Sequence, residues 1–390
     1  MKNILLLNKI AKIGLNVLDS EIYACSDSVA NPDAIMVRSA AMHDMDIPES
    51  VLAIARAGAG VNNIPIEKCT EAGIAVFNTP GANANAVKEL VIAGLFLSSR
   101  KIAQGIQWSK TLKNEGDAVG KLVEKGKSQF VGPEIEGKTL GVIGLGAIGV
   151  LVANAAVALG MDVIGYDPYI SVEGAWKLSR AVKHAKTLDE IYAASDYITV
   201  HVPLMDSTKD TISSASLAKC KDGVRILNFA RGGLVNTADI LAALQSGKVS
   251  SYVTDFPDAQ LVDVENVIAI PHLGASTPES EDNCAVMAAK EIKAYLEDGN
   301  VINSVNFPCV SEPRTTPVRV CVLHKNIPNM ISSISETLGG CNINIEHFTN
   351  KSRGDIAYSI MDIANSEIPE NTSELISGIE GVMKVRIISD

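Results

Sequence analysis

Short apolar runs rich in β-branched residues alternate with helical stretches through the central third of the chain, the pattern of a parallel sheet joined by crossover helices. The runs predict strands over Leu140–Leu145, Asp162–Asp167, Asp196–Val202, Val224–Ala230, Tyr252–Phe256 and Val267–Ile270. Positions that stay apolar on consecutive residues suit strands covered on both faces. Six such strands with helices between them match a doubly wound dinucleotide-binding fold.

The first ~90 residues repeat the pattern on a smaller scale in ILLL, AIMVRS, LAIARAGAG and GIAVFNTP. A long helix is expected from about Ala86 to Leu112. A second opens at Ser276-Thr277-Pro278-Glu279, where Ser276 and Glu279 have capping-box spacing and Pro278 suits the first turn, and it ends at Gly299. Read as crossings, these helices divide the chain into a flavodoxin-like α/β domain (1–93 with 276–302) and a Rossmann-type domain (94–275). Prolines and small polar residues mark 303–316 as a linker, and 317–390 runs strand, helix, strand, strand, helix, strand, the βαββαβ order of a ferredoxin-like domain.

Charge narrows the partners. Lys and Arg number 34 against 45 Asp and Glu, a net charge of −11, which disfavours nucleic acids and anionic membranes. A small anionic substrate is still compatible, because a pocket concentrates positive charge locally. No stretch reaches the ~18 apolar residues of a membrane helix, and the first apolar run is too short for a secretory signal. The seven cysteines are scattered without a CxxC pair, as expected of free thiols in a reducing cytoplasm, and no cysteine–histidine cluster suggests a metal.

Gly144-Leu145-Gly146-Ala147-Ile148-Gly149 directly follows a predicted strand and opens a helix. Such glycines permit a tight turn and let a pyrophosphate approach the helix N-terminus, where backbone N–H groups and the dipole favour anions. The next strand ends at Asp167, placed to accept hydrogen bonds from an adenosine ribose and to repel a 2′-phosphate, so NAD is expected over NADP. His272 in PHLGAST and Arg231 in NFARGG follow other strand ends, at the edge where doubly wound sheets bind ligands. There a neutral imidazole can accept a hydroxyl proton and a guanidinium can fork onto a carboxylate. Taken singly, a strand-end His is more often structural, and such an Arg is more often part of a surface ion pair.

Together, GLGAIG, HVPLMDST, NFARGG and PHLGAST resemble the NAD-dependent D-2-hydroxyacid dehydrogenases over residues 1 to about 302. The resemblance implies Arg231 as the substrate-orienting residue and His272 as the acid/base. It implies cofactor contacts from Ala147, Ile148, Pro203, Phe229, Ala230, Asp255, Gly274 and Ala275, alongside Gly144, Gly146, Gly149, Asp167, Arg231 and His272. Family members usually carry a Glu shortly after the strand-end Asp, where this chain has Asp255-Phe256-Pro257-Asp258; Asp258 is therefore the expected carboxylate partner of His272. Arg38, Ser39, Ala59, Gly60 and Asn83 lie in segments similar to those of members acting on 3-phosphoglycerate, with Arg38 facing the distal phosphate. The C-terminal segment resembles ACT regulatory domains: His324, Asn326 and Asn344 match residues that bind L-serine in such relatives, and Asn329 stands where Gly is usual. A homodimer or homotetramer is implied as well. A glyoxylate or hydroxypyruvate reductase of the same family, and a non-catalytic NAD-sensing protein, are the alternatives these residues leave open.

Overall fold

The computed structural model describes residues 1–364 and 367–389, so Asp390, the last residue of the 317–390 segment, lies outside them. Strands β1 (Lys2–Leu7), β2 (Tyr23–Ser26), β3 (Ala34–Val37), β4 (Ala53–Arg56) and β5 (Ala75–Phe77) form an all-parallel sheet in the order β2-β1-β3-β4-β5, the flavodoxin-like arrangement. Alternate residues face opposite sides: Ile35, Val37, Ile54 and Val76 line one core, and Ala34, Met36, Ala53 and Phe77 the other.

A seven-stranded parallel sheet follows, built from β6 (Thr139–Ile143), β7 (Asp162–Tyr166), β8 (Lys183–His184), β9 (Tyr197–Val200), β10 (Val224–Asn228), β11 (Val249–Thr254) and β12 (Val267–Ala269). Its order is β12-β11-β10-β9-β6-β7-β8, so the chain reverses direction across the sheet between β6 and β9. The expected strands are all present, each ending one or two residues before the run of apolar positions does, and β8 adds a two-residue exposed edge strand. Ile198, Val200 and Ile226 pack on one face and Tyr197, Leu227 and Val253 on the other, as continuous apolar runs require.

The first long helix differs from its expected span. It runs Ala84–Ser99 and breaks, resuming as Ile102–Thr111. Ser98 and Ser99 both donate their hydroxyls back to the Leu95 carbonyl, and Lys101 leaves the helical region at ψ 49°. The second helix spans Pro278–Asp298, with Pro278 in the first turn as expected. Gly299 ends it at φ 69°.

Beyond this helix the 303–316 segment is packed rather than tethered. Ser304 bridges antiparallel to Phe77 of β5, the Val305 N–H donates to the Val76 carbonyl, and Val301, Phe307 and Val310 have no exposure. Each such burial is worth about 1.5–3 kcal/mol. The last sheet contains β13 (Val318–Lys325), β14 (Ile345–Arg353), β15 (Ile356–Ile363) and β16 (Val382–Ser389), antiparallel in the order β14-β15-β13-β16. With helices Met330–Gly340 and Thr372–Ser377 it is the expected βαββαβ ferredoxin-like layout. Those helices cover one face, where Val320, Val322 and Met361 meet Ile334, Leu338 and Ile376. The other face, with Cys321, Leu323, Tyr358 and Ile360, shares a core with Tyr295 and Leu296 of the helix Pro278–Asp298.

The chain divides into two compact units, residues 1–83 with 278–390, and residues 84–277. No helix among the described residues is long and apolar enough to cross a membrane.

Candidate active site

In the unit 84–277, the glycine loop leaves β6 at the point where the sheet order reverses. Gly144 has φ 92°, and a side chain there would lie 2.8 Å from the His201 carbonyl; a Cβ at Gly149 would lie 1.9 Å from the Gly144 oxygen. Both positions are glycine because the protein's own backbone closes on them. At Gly146 a Cβ would meet nothing within 4 Å, so the protein's own packing does not demand glycine there and the room is available to a ligand. The helix Ala147–Ala158 that follows has neither a side-chain cap nor an acidic residue in its first turn. Its N-terminal N–H groups, Ala147 and Ile148 among them, suit a pyrophosphate. Asp167 accepts hydrogen bonds from the Leu145 N–H and the Tyr169 N–H, both at 2.8 Å, which ties the end of β7 to the glycine loop. Its carboxylate keeps lone pairs for ribose hydroxyls. After β9, Pro203 begins a turn fixed by Thr208, whose hydroxyl donates to the Pro203 carbonyl at 2.5 Å.

Three strand ends carry the remaining residues. At the end of β10, the buried Asn228 knots the turn: its Nδ2 donates to the Arg231 carbonyl at 2.8 Å and its Oδ1 accepts from the Ala230 N–H at 3.2 Å. Phe229 is buried against the helix Ala84–Ser99, where a Cβ at Gly94 would strike its ring. Arg231 stays exposed, its guanidinium bonded to the Ala230 carbonyl at 2.6 Å. Asn228 and Phe256 are site residues that the motif reading passed over; a buried Asn directly before the FARGG turn was the available signal.

At the end of β11, Asp255 is 1% exposed and neither carboxylate oxygen has a partner within hydrogen-bond geometry. Burial raises its pKa, against the opposing pull of His272, of the backbone N–H groups of Asp255 and Gly274, and of Arg231. Unpaired buried carboxylate oxygens suit a ligand N–H donor, such as a nicotinamide carboxamide. His272, past β12, is exposed and its ring packs on Phe256 with centroids 4.5 Å apart. Gly274 is buried and Ala275 exposed.

The hydrogen bonds described for Asp258 go to residues other than His272. One Asp258 oxygen accepts from the Thr237 hydroxyl at 2.9 Å and the other from the Gln260 N–H at 2.8 Å. The reason is register: Thr254 of β11 lies opposite Ala269 of β12, which puts Asp255 near the strand end that leads to His272 and carries Asp258 off into the following loop.

In the other unit, the Arg38 guanidinium is paired with Glu281 at 2.6 Å, both side chains 43% exposed. Arg56 links the two candidate substrate segments, its guanidinium donating to the Arg38 carbonyl at 2.9 Å and to the Gly60 carbonyl. The Ala59 carbonyl accepts from Asn78 at 2.5 Å; Ser39 lies in the turn after β3, and Asn83 is half-buried. In the C-terminal sheet His324 is 2% exposed, with Nδ1 at 2.9 Å from the Lys325 carbonyl and Nε2 at 3.1 Å from both Ser359 Oγ and Asn350 Nδ2; burial lowers its pKa. Asn326 donates to the Gly354 carbonyl at 3.0 Å, and Asn344 to Glu346 at 3.2 Å. These contacts do not join the three residues to one another. Asn329 has φ 69°, a conformation Gly also favours.

Residues 92–274 match the family model described as D-isomer specific 2-hydroxyacid dehydrogenase, NAD binding domain. Relatives of the chain include D-3-phosphoglycerate dehydrogenases. That of Rattus norvegicus is 37% identical over 320 residues, 78% of this chain and 57% of the relative, and that of Bacillus subtilis is 34% identical over 313 residues, 78% and 56%. The chain thus spans somewhat more than half the length of these curated relatives. Among solved structures, an NAD+-bound 3-phosphoglycerate dehydrogenase of Entamoeba histolytica is similar with a TM-score of 0.59 and 26% identity, and a glyoxylate reductase from Paecilomyes thermophila with 0.63 and 27%; each comparison covers 78% of this chain and 98% of the other.

Proposed function

We propose that this chain oxidises the 2-hydroxyl of D-3-phosphoglycerate to 3-phosphooxypyruvate with NAD, the step that opens L-serine synthesis. The observation that carries the reading is the grouping of Arg231, Asp255, His272 and Gly274 at the ends of β10, β11 and β12 in a domain with an uncapped, glycine-opened helix. NAD supplies the hydride acceptor when bound. The residues that would hold it are Gly144, Gly146, Ala147, Ile148 and Gly149 at the pyrophosphate, Asp167 at the ribose, and Asp255 at the carboxamide, with Pro203, Phe229, Ala230, Gly274 and Ala275 shaping the edge.

Arg231 holds the substrate carboxylate by two parallel hydrogen bonds and fixes the C2 carbon. His272 takes the hydroxyl proton as the C2–H electron pair leaves, so the imidazole becomes imidazolium and the alcohol a ketone. Asp255 is the carboxyl group that interacts electrostatically with His272, and the part of carboxylate partner passes from Asp258 to Asp255 in our reading. Arg38 recognises the distal phosphate.

The ferredoxin-like domain is read as an ACT domain binding L-serine through His324, Asn326 and Asn344. Self-association is supported by the segment after Arg100, whose helices Ile102–Thr111 and Val119–Gly126 have no buried residue yet expose Ile102, Ile106 and Val123. A cytoplasmic location accords with seven free cysteines. The deciding experiment is NADH oxidation with 3-phosphooxypyruvate, hydroxypyruvate and pyruvate, with and without L-serine. A preference for the phosphorylated acid is expected; a preference for either unphosphorylated acid would overturn the substrate.

A further inference from the structure

At the carboxyl edge of the five-stranded sheet, Asn8 follows β1 and the turn Arg38–Ser39–Ala40 follows the neighbouring β3. Three successive backbone N–H groups, of Arg38, Ser39 and Ala40, donate to a single atom, Oδ1 of Asn8, at 3.3, 3.1 and 2.9 Å. Consecutive N–H groups converging on one point make a concavity that selects an acceptor. Here the acceptor is a side chain from another strand end, and its backbone sits at φ 96°, in the left-handed half of conformational space that Gly and Asn tolerate best.

The same turn is held three times more, Asn63 Nδ2 donating to the Ala40 carbonyl at 2.8 Å. Arg56 Nε binds the Arg38 carbonyl at 2.9 Å, and Glu281 binds the Arg38 guanidinium at 2.6 Å. The backbone N–H, the carbonyl and the side chain of residue 38 are therefore each fixed by a different element. Asn8 and Ser39 are exposed and only Ala40 of the turn packs against the core, so apolar packing does not account for the fixing of residue 38. The turn sits on the edge where open α/β sheets take ligands.

We infer that Asn8 is a positioning residue for recognition of the substrate's distal phosphate. By gathering three N–H groups onto one oxygen it presets the turn that aims Arg38. Asn8 itself touches no substrate; it acts through Arg38. The inference rests on the reading of Arg38 as the phosphate partner. It follows that Asn8 governs KM for the phosphorylated acid and leaves both kcat and the unphosphorylated acid untouched.

The test is steady-state NADH oxidation with 3-phosphooxypyruvate and with hydroxypyruvate. Asn8→Gly accepts φ 96° without strain and removes only the acceptor, so it isolates the hydrogen bonds. Asn8→Asp keeps an acceptor in place and serves as the rescue. Expected for Asn8→Gly is a rise of about tenfold in KM for 3-phosphooxypyruvate, with kcat and the hydroxypyruvate KM within about twofold of the parent, and for Asn8→Asp a KM within about threefold of the parent. Asn8→Ser, whose shorter hydroxyl reaches fewer donors, gives an intermediate KM and stands in if the glycine variant fails to fold. Arg38→Met is run in parallel. An unchanged KM in Asn8→Gly beside a raised one in Arg38→Met overturns the role of Asn8 alone. An unchanged KM in Arg38→Met overturns the reading beneath it. Equal loss on both substrates in Asn8→Gly shows a general structural role and also overturns the inference.

Discussion

Arg319 of β13 and Asp362 of β15 meet in a two-point ion pair, Nε to Oδ1 at 2.6 Å and Nη2 to Oδ2 at 3.0 Å, with no solvent exposure on either side chain. The remaining guanidinium donors reach the carbonyls of Asp298, Glu312 and Pro313, so one side chain joins the C-terminal sheet, the end of the helix Pro278–Asp298 and the segment before β13. Burial pushes the Asp362 carboxyl up, but the Arg319 and Thr315 donors outweigh it and its pKa is lowered. Removing one partner strands the other charge. Arg319→Met is expected to cost about 3–5 kcal/mol in urea unfolding, and the pair Arg319→Met with Asp362→Leu less than the sum of the singles. A loss below about 1 kcal/mol for Arg319→Met would show that the pair is not the tie described.

Glu291 predicts a pH dependence of the opposite sign. It is 2% exposed on the helix Pro278–Asp298; Asn303 donates to one oxygen at 2.8 Å and the other oxygen has no partner. Burial pushes its pKa up from 4.5 to about 8. The unfolded chain thus releases this proton first as pH rises, and the stabilising contribution is full below pH 4.5 and is lost progressively until about pH 8. Glu291→Gln removes the titration. Between the two ends of that window the parent should lose about 1–3 kcal/mol of unfolding free energy relative to the variant. Parallel stability-against-pH curves would rule out this assignment.

Asp167, the proposed ribose partner, also ties the glycine loop, since its oxygens hold the Leu145 and Tyr169 N–H groups at 2.8 Å. Asp167→Asn keeps an acceptor and removes the charge, whereas Asp167→Ala removes both. The asparagine variant should raise the NADP-to-NAD ratio of kcat/KM by about tenfold, and the alanine variant should in addition raise KM for NAD by a further factor of about ten. Initial rates with the two cofactors decide it. Unchanged cofactor ratios in both variants would move the ribose contact elsewhere.

Much of the architecture was legible because parallel strands covered on both faces are apolar at most consecutive positions, as Ala34–Val37 are throughout and Tyr197–Val200 are apart from Thr199. What such a pattern cannot carry is pairing. Lys183–His184 became a strand through its bonds to β7 and has no apolar residue to announce it. The segment 303–316 has the prolines and small polar residues of a linker, yet Phe307 and Val310 are fully buried and Val305 packs on a core, anchors too few and too interrupted by proline and polar residues to announce themselves. The glycine loop, Arg231 and His272 were legible because each motif follows a strand end. Asn228 and Phe256 were not, since their part is to hold a neighbour in place and that depends on which turn folds over which.

Asp255 and Asp258 give the sharpest case, because spacing along the chain favours one and register favours the other. The Thr254–Ala269 pairing sets Asp255 beside the strand that leads to His272, whereas Asp258 is spent on Thr237 and on the Gln260 N–H. Asp258→Asn should therefore leave kcat and kcat/KM within about threefold of the parent, losing only part of a surface hydrogen bond. Asp255→Asn removes the negative charge that acts on His272 and keeps the side chain's size, so kcat/KM should fall by about 10–100-fold, within the range of general acid–base effects. Phe256→Ala, which removes the ring tilted against the imidazole at a centroid distance of 4.5 Å, should lower kcat as well. Should Asp258→Asn cause that loss and Asp255→Asn leave kcat/KM unchanged, Asp258 would be restored as the partner of His272.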